Sequence, residues 1–209
     1  ASTIVTAREY QNRSRLLIYP LILFVMAETT IQVVFPELHV TWLCVTLLSV
    51  LYFIYCNEMW NQLDALTGLL NQNSYLKQTD GGRCNGGVLV VFDVDNFKQI
   101  NDRYGHVQGD VCLAEIAECI KKVYANYGYC YRIGGDEFCV LLKNSEKEGM
   151  CKQEFLWRME EKRRKITFLP TVSYGSATFS GEDIVEVKER ADRDMYQYKN
   201  ERKKRSSME

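Results

Sequence analysis

Two acidic residues, Asp136 and Glu137, directly follow a pair of glycines within residues 131–142. The glycines, Gly134 and Gly135, lie between apolar, strand-like segments. Glycine reaches positive φ without strain, so the pair predicts a tight two-residue hairpin. Asp and Glu are disfavoured in strands, which indicates that these two serve a site. Carboxylates beside a turn free of side chains are suited to Mg²⁺ carried by a nucleotide. The alternative is an ordinary solvated hairpin flanked by acidic residues.

A second acidic pair ends the apolar segment 88–92, whose length and continuous hydrophobicity predict a central strand covered on both faces. The segment stops at Asp93-Val94-Asp95. Because side chains alternate along a strand, Asp93 and Asp95 should lie on the same side. Ligands of α/β proteins bind beyond the carboxyl ends of strands, which makes Asp93 a candidate ligand. Asp95 is alternatively the cap of the helix that follows.

Two helices are expected to position further polar groups. The first covers residues 96–104 and ends at Gly105. Lys98 and Asn101 lie off its apolar stripe: Lys98 is either solvated or balances phosphate charge, and Asn101 is unfavourable in a helix unless its amide binds elsewhere. The second helix is amphipathic and opens at Gly109-Asp110. Asp110 is most simply its N-cap, although a carboxylate with an amide nearby also suits a guanine edge.

The remaining elements complete one α/β domain. Residues 145–165 predict a charged surface helix, and residues 183–200 predict a last helix. Between them, residues 166–179 contain one or two strands, interrupted at Pro170 and Gly175. The basic segment 199–205 is either a solvated helix end that complements the helix dipole or a clamp for phosphates.

The composition limits the class of protein. The chain has 209 residues and a formal net charge of -1, so no global basic field indicates nucleic acid binding. Its eight cysteines include no C-x-x-C pair. We therefore expect reduced, mostly buried thiols.

Two apolar segments precede this domain, at residues 16–35 and 40–56. Each is about as long as a helix that crosses a bilayer, and arginines precede the first segment only. These features predict a membrane hairpin at 1–56 that ends a larger sensor, a linker at 57–63 and a cytoplasmic domain at 64–205. The expected location is the inner membrane, with both ends of the hairpin in the cytoplasm. The alternative is a pair of buried helices in a soluble domain.

Five blocks of sequence, taken together, resemble the GGDEF family of diguanylate cyclases over residues 63–204. The blocks are DALTGL at 64–69, FDVDNFKQIND at 92–102, YGHVQGD at 104–110, RIGGDEF at 132–138 and ADRDMYQYK at 191–199. One such block alone would be a weak signal. All five occur in the family's order and at similar spacing.

The resemblance implies an α/β (α+β) domain with the palm-like GGDEF/nucleotidyl cyclase fold, in which helices flank a central mixed sheet, here preceded by the transmembrane hairpin. It implies a reaction in which two GTP molecules become cyclic di-GMP and two pyrophosphates, with two Mg²⁺ (or Mn²⁺) ions per site. One site holds one GTP, so two copies of the chain must face each other. The expected partners are therefore GTP, a second copy of the chain and, through residues 16–56, membrane lipid, but not nucleic acid.

The resemblance also assigns roles to individual residues. Asp93, the backbone carbonyl of Val94, Asp136 and Glu137 would hold the metal ions, and Asp136, Glu137 and Lys98 form the catalytic set. The substrate-binding set is Phe97, Asn101, His106, Asp110, Gly134, Gly135, Lys199 and Lys203. Within it, the amide and carboxylate side chains would read guanine, and the lysines would contact phosphates.

The chain departs from the family pattern at three sites, one of which is Gln72-Asn73 in place of the arginines often found after L-x-N. The product-binding R-x-x-D falls on Ala125 and Gly128, so we expect no feedback inhibition by that route, and a pure cyclic di-GMP receptor loses its usual basis. The ending A-K-x-x-G-R-N becomes YKNERKK at 198–204, which puts Lys203 at the phosphate-binding Arg. Asp110 keeps the residue type that selects guanine. The alternative function is a degenerate GGDEF domain that binds GTP or dimerises and relays a signal.

Overall fold

The computed structural model describes residues 41–60, 62–79 and 86–206, together with isolated positions between 23 and 34. The chain divides into two units, Ala1–Asn61 and Gln62–Glu209. The described helices are α1 (Thr41–Trp60), α2 (Gln72–Thr79), α3 (Phe97–Tyr104), α4 (His106–Tyr124), α5 (Glu148–Lys165) and α6 (Ile184–Ser206). The strands are β1 (Gly87–Val94), β2 (Gly128–Arg132), β3 (Glu137–Leu142) and β4 (Val172–Phe179).

The four strands form one sheet in the order β2-β3-β1-β4, and every neighbouring pair is antiparallel. The prediction of a mixed sheet is therefore wrong. The reason is the hairpin: β2 runs in the same direction as β1, but the turn that follows brings β3 back between them. A parallel pairing occurs only as an isolated bridge, Leu70 with Tyr131, in the described part of the chain.

Strand β1 is buried on both faces, as its continuous hydrophobicity predicted. Val90 and Phe92 pack in one core with Ile116 of α4 and Phe155 of α5. Leu89 and its alternate neighbours pack in a second core against α6. The cysteines of the second unit whose side chains the structure describes are free and buried: Cys112, Cys119, Cys130, Cys139 and Cys151. The central strand is thus held from both sides, and its carboxyl end is a fixed point for a site.

Helix α4 starts at His106, before the predicted start at Gly109-Asp110, because Gly105 is the C-cap of α3 and also the N-cap of α4. The Gly105 backbone has φ 86°. Glycine adopts this conformation without strain. Asp110 consequently lies inside α4, and its predicted role as N-cap is wrong.

The segment 166–179 contains one strand rather than two, and β4 runs straight through Gly175. A Cβ at Gly175 would lie 2.2 Å from both the Ala191 carbonyl oxygen and the Met195 nitrogen. The glycine therefore admits the close approach of α6 and does not interrupt the strand. Helix α6 also continues to Ser206, beyond the predicted end near residue 200.

The turn between β2 and β3 is wider than the predicted two-residue hairpin. The N–H groups of Ile133 and Gly134 both donate to the Glu137 carbonyl oxygen, at 3.0 and 3.3 Å. Neither Gly134 nor Gly135 is among the glycines with positive φ. The four residues 133–136 thus close the loop without the left-handed conformation that we expected.

Helix α1, in the first unit, is apolar on all sides. Trp42 and Phe53 are largely exposed, as are most of the described side chains between them. The hydroxyls of Thr46 and Ser49 donate to carbonyls one turn back, at 2.7 and 2.8 Å. In the described part of the chain, no helix reaches the combination of length and hydropathy that a membrane span requires. The first predicted span, residues 16–35, lies almost entirely outside the described residues.

Candidate active site at the carboxyl end of strand β1

The acidic residues of two strands meet at one edge of the sheet. Asp93, near the end of β1, is paired in register with Glu137 at the start of β3. Residues directly opposite each other in an antiparallel pair project from the same face, so these two carboxylates are neighbours. The Val94 N–H donates to the Asp136 carbonyl oxygen at 3.2 Å, which joins the turn to the end of β1. Asp93 and Asp136 are half-buried and Glu137 is exposed.

A basic residue from the last helix reaches the same edge. Lys199 Nζ donates to Asp93 Oδ2 at 2.5 Å and lies 3.5 Å from Asp95 Oδ1. One ammonium contacts both carboxylates, which confirms that Asp93 and Asp95 lie on the same side. Burial alone would lower the pKa of Lys199, but the hydrogen bond and charge of Asp93, with the charge of Asp95, raise it above its usual value. Lys199 therefore neutralises the predicted metal ligand Asp93.

The alternative prediction that Asp95 caps the following helix is wrong. Helix α3 starts after Asn96, whose side chain makes no capping hydrogen bond. The Asp95 carboxylate instead accepts hydrogen bonds from Thr171, Ser173 and Arg202. Sequence reasoning missed these partners, since no local spacing connects them to Asp95.

A polar atom without a partner lies beside α4. Asn101 Oδ1 is buried and accepts no hydrogen bond from the described residues. A Cβ at Gly109 would lie only 1.9 Å from this oxygen and 3.3 Å from Phe97 Cζ, so the three residues adjoin. Buried polar atoms normally have partners, and an exception indicates a ligand or an ordered water. The Asn101 oxygen is therefore an acceptor that a ligand or an ordered water could use.

Three other predicted residues lie on the same two helices and are exposed. His106 and Asp110 lie one turn apart on α4, and Lys98 lies on α3. Residues four apart project from the same side of a helix, so His106 and Asp110 border the same space. The side chain of Lys203, the predicted phosphate contact, lies outside the described residues.

The turn that carries Gly134 and Gly135 is held by a residue that sequence reasoning did not single out. Arg132 donates through Nε and an Nη to the Gly135 carbonyl oxygen, at 3.3 and 2.7 Å. Its other Nη contacts both oxygens of Asp64, at 3.0 and 3.2 Å. A Cβ at Gly135 would meet nothing within 4 Å, so the turn is open there, whereas a Cβ at Gly134 would lie 3.2 Å from Glu137 Oε2. The available signal was charge complementarity between two of the motif blocks.

Asp64 is itself held in the ionised form. Burial alone would raise its pKa, but hydrogen bonds from Thr67 and the hydrogen bond and charge of Arg132 lower the pKa below its usual value. The Thr67 backbone N–H and hydroxyl both donate to Asp64 Oδ1, at 2.9 and 2.6 Å. This local turn and the long-range ion pair tie the loop after residue 62 to the turn of the hairpin.

The donor set fits a hard divalent cation that arrives with a nucleotide. Within residues 41–60, 62–79 and 86–206, no three His, Cys, Asp or Glu side chains are grouped to hold a metal by themselves. Mg²⁺ is commonly held by one or two carboxylates together with substrate phosphates. Asp93, Glu137, Asp136 and the Val94 carbonyl supply only oxygen, so their chemistry suits Mg²⁺ or Mn²⁺ when phosphates complete the shell.

The position at which the missing product motif R-x-x-D would place its aspartate, Gly128, has no room for a side chain. Ala125 is the C-cap of α4, and Gly128 begins β2. A Cβ at Gly128 would lie 2.1 Å from the Leu141 carbonyl oxygen of the neighbouring strand. An aspartate there would require the backbone to move, which agrees with the expectation that this product site is absent.

Comparison with known proteins gives consistent matches. The family model described as "Diguanylate cyclase, GGDEF domain" matches residues 61–205. The chain is 31% identical over 147 residues to Diguanylate cyclase A of Treponema denticola, covering 67% of this chain and 40% of that protein. It is 34% identical over 150 residues to Diguanylate cyclase DgcS of Shewanella oneidensis, covering 68% of this chain and 51% of that protein. The chain thus spans about half, or less, of the length of these relatives.

Solved structures show the same fold. The GGDEF domain of DgcB from Caulobacter crescentus, in complex with c-di-GMP, matches with a TM-score of 0.59 and 28% identity, covering 66% of this chain and 90% of that chain. The coiled coil and GGDEF domain of the same protein, also in complex with c-di-GMP, matches with a TM-score of 0.60 and 26% identity, covering 76% of this chain and 92% of that chain.

Proposed function

Since this chain belongs to the GGDEF family of diguanylate cyclases, we propose that it condenses two molecules of GTP into cyclic di-GMP and releases two pyrophosphates. The observation that carries the proposal is the meeting of Asp93, Glu137 and Lys199 at one edge of the sheet. Opposite charges at the end of a buried strand, beside an open turn, provide oxygen ligands for a cation and a cation for phosphates. The named relatives, which are themselves called diguanylate cyclases, support the same reaction.

The residues of the site would perform three tasks: binding of the metal ions, binding of the phosphates and selection of guanine. Asp93, the Val94 carbonyl, Asp136 and Glu137 would hold Mg²⁺ or Mn²⁺, which makes the attacking 3′-hydroxyl more acidic and neutralises charge on the reacting phosphates. Asp93 would be a ligand of the metal ion, and Lys199, which contacts Asp93 in this structure, would then be available to neutralise phosphate charge. The exposed Lys98 is a second phosphate contact. The turn is open at Gly135, which would let phosphates approach the backbone.

Guanine selection is assigned to the space beside α4. The buried Asn101 Oδ1 offers an acceptor, and Asp110, one residue after Gly109, offers a carboxylate. A carboxylate accepts the two N–H groups on the guanine edge, whereas adenine offers a different pattern at the same position. This arrangement supports GTP over ATP as the substrate.

Each chain supplies one such site, so the reaction needs two copies. We propose a homodimer in which the 3′-hydroxyl of one bound GTP faces the α-phosphate of the other. The apolar sequence segments at residues 16–35 and 40–56, which precede this domain, are the basis for proposing a membrane segment as the element that sets the spacing of the two copies. In this proposal the chain is anchored in the inner membrane through residues 16–56, and its GGDEF domain lies in the cytoplasm.

The reaction is tested by mass spectrometry of GTP incubated with Mg²⁺ or Mn²⁺ and the protein. Two forms are compared: the full chain in detergent micelles, and residues 57–209 behind a parallel coiled coil that supplies the dimer. We expect cyclic di-GMP and pyrophosphate from both, and none after Asp136→Asn. Asp194→Asn, which changes an exposed carboxylate on α6, is the matched control and should keep full activity. No cyclic dinucleotide from the dimerised form, or an unchanged yield after Asp136→Asn, contradicts the proposal.

A second candidate is a signal relay that binds GTP without cyclising it. Lys203 at the position of the family's phosphate-binding Arg favours it, because a lysine cannot make the two-pronged contact of a guanidinium. The same experiment separates the two candidates. GTP bound with a measurable affinity, but without product from the dimerised form, identifies the relay.

A further inference from the structure

Asp95 is a buried carboxylate whose two oxygens have different partners. Oδ2 accepts from the Thr171 hydroxyl at 2.7 Å and from an Nη of Arg202 at 3.0 Å. Oδ1 accepts from the Ser173 hydroxyl at 2.7 Å and faces Lys199 Nζ at 3.5 Å. The side chain is 11% exposed. Such a carboxylate is costly to bury unless it is paired, so these contacts fix its orientation.

The two cations that Asp95 meets lie on the same face of one helix. Lys199 and Arg202 are three residues apart on α6, a spacing that brings side chains together. Arg202 also donates to the Val172 carbonyl oxygen at 3.4 Å, at the start of β4. Asp95 therefore connects the end of β1 to α6, and α6 to the beginning of β4, while Asp93 contacts α6 through Lys199.

The contacts of Lys199 change when the site is filled. Under the proposed function, on which this inference rests, Asp93 would be a ligand of the metal ion, and Lys199 would then lose the carboxylate that it contacts at 2.5 Å. Asp95 is then the acidic residue that still faces the Lys199 ammonium, through Oδ1. Hydrogen bonds from Thr171 and Arg202 to Oδ2 keep the Asp95 carboxylate from rotating away.

We propose that Asp95 is a positioning residue, oriented by Arg202, that keeps Lys199 directed at the triphosphate after Asp93 has passed to the metal ion. Where the family pattern A-K-x-x-G-R-N has a glycine, this chain has Arg202. A glycine cannot supply this guanidinium. The anchor on Asp95 is thus a feature of this chain, and it strengthens the lysine contact in a sequence whose next residue is Lys203 rather than Arg.

The test measures nucleotide binding in the full chain in detergent micelles with Mg²⁺, by titration calorimetry. The probes are a non-hydrolysable GTP analogue and GMP, which share the base but differ in the two terminal phosphates. We expect Asp95→Asn and Arg202→Gln each to weaken binding of the analogue by about tenfold, the effect of losing one charge-assisted contact, and to leave GMP binding within about twofold of wild type. Arg202→Lys, which restores a positive charge, should recover part of the loss.

Asp194→Asn is the matched control. Asp194 also ties α6 to β4, because its Oδ2 accepts from the Ser176 N–H at 2.9 Å. It precedes Lys199 and Arg202 by five and eight residues on α6, about 7.5 and 12 Å along the helix axis. The variant should bind both probes like wild type. Arg202 is partly exposed, so Arg202→Gln tests the proposal even if Asp95→Asn lowers the melting temperature.

The outcomes separate this inference from the cyclase proposal. Equal weakening of GMP and of the GTP analogue would mean a general distortion of the site and would overturn the positioning role. Variants that bind the analogue as tightly as wild type would overturn it as well, whether or not cyclic di-GMP is formed. A selective loss of triphosphate affinity supports it even if the wild-type chain makes no cyclic product, which would contradict only the cyclase reaction.

Discussion

At Gly109, the absence of a side chain leaves space for the Asn101 side-chain oxygen. A Cβ there would lie 1.9 Å from Asn101 Oδ1, whereas alanine is favoured over glycine in a helix by up to about 1 kcal/mol. We therefore expect Gly109→Ala to leave α4 folded and to displace the Asn101 side chain. Loss of one hydrogen bond to guanine should weaken binding of a GTP analogue by about tenfold, measured by titration calorimetry.

Gly149→Ala is the control for this substitution. It lies in α5, and a Cβ there would meet nothing within 4 Å. We expect its nucleotide affinity to equal that of wild type. If both alanine variants bind equally well, Asn101 does not read the base from its present position.

Asp64 gives a prediction about pH. Its pKa is lowered in the folded chain, so the stability that the ionised carboxylate contributes is present above the unfolded pKa of about 4 and is lost as pH falls through the folded value. Asp64→Asn should therefore lower the melting temperature at neutral pH. The difference from wild type should shrink as pH falls below about 4, which thermal melts across that range would show.

A double variant, Asp64→Asn with Arg132→Gln, tests whether the stability contributed by Asp64 depends on its ion pair with Arg132. Arg132 lowers the pKa of Asp64, so Asp64→Asn should cost less stability, with a weaker pH dependence, when Arg132 is already gone. An Asp64→Asn effect of the same size in both backgrounds would show that the ion pair does not stabilise the loop.

At this scale, the sequence predicted residues whose types are unusual for their local surroundings. Acids at the start of a strand and an amide inside a helix are locally unfavourable, so Glu137 and Asn101 could be recognised as candidates. Asp95 could not be, because a cap is a sufficient local reason for it. Its actual partners, Thr171 and Ser173, are 76 and 78 residues away in sequence.

Among the elements, the docking of α6 on β4 depends on one glycine. A Cβ at Gly175 would lie 2.2 Å from backbone atoms of both Ala191 and Met195, and backbone cannot rotate away as a side chain can. We expect Gly175→Ala to lower the free energy of unfolding by about 1–3 kcal/mol, as overpacking of a core does, measured by urea denaturation. It should also reduce triphosphate binding, because α6 carries Lys199.

Gly149→Ala again provides the comparison, since it adds the same methyl group to an open position. It should be neutral or slightly stabilising. A Gly175→Ala variant as stable as Gly149→Ala would mean that α6 can shift outward without loss of packing.

The order of the elements could be predicted, but several of their boundaries could not. Sequence patterns located α3, α4, α5 and α6 but not the short helix α2, and the start of α4 depended on Gly105, which ends one helix and caps the next. Gly175 was interpreted as an interruption, because a pattern does not distinguish a glycine that breaks a strand from one that admits a neighbouring helix. The sheet is antiparallel because β3, rather than β2, of the β2–β3 hairpin pairs with β1. No local sequence pattern indicates which of the two strands does so.

For the whole molecule, the membrane hairpin predicted from the apolar segments at residues 16–35 and 40–56 can be tested directly. We expect the full chain to remain with bacterial membranes after an alkaline carbonate wash, and residues 62–209 alone to appear in the supernatant. Leu47→Arg should release a large part of the full chain, because a charge near the centre of a span costs about 2.5–3.5 kcal/mol. Full-length chain in the supernatant of the wild-type sample would contradict the membrane segment.

The arrangement of the sheet affects how the molecule is made. The central strand β1 pairs with β4 from Gly87 with Phe179 to Val94 with Val172, so its second neighbour comes from far along the chain. Contacts of such high contact order form slowly, and a nascent chain must hold β1 half-paired until the ribosome has delivered the C-terminal quarter. Lys199 arrives later still. A prematurely terminated polypeptide therefore carries the glycine-rich turn and its acids without the cation that offsets them.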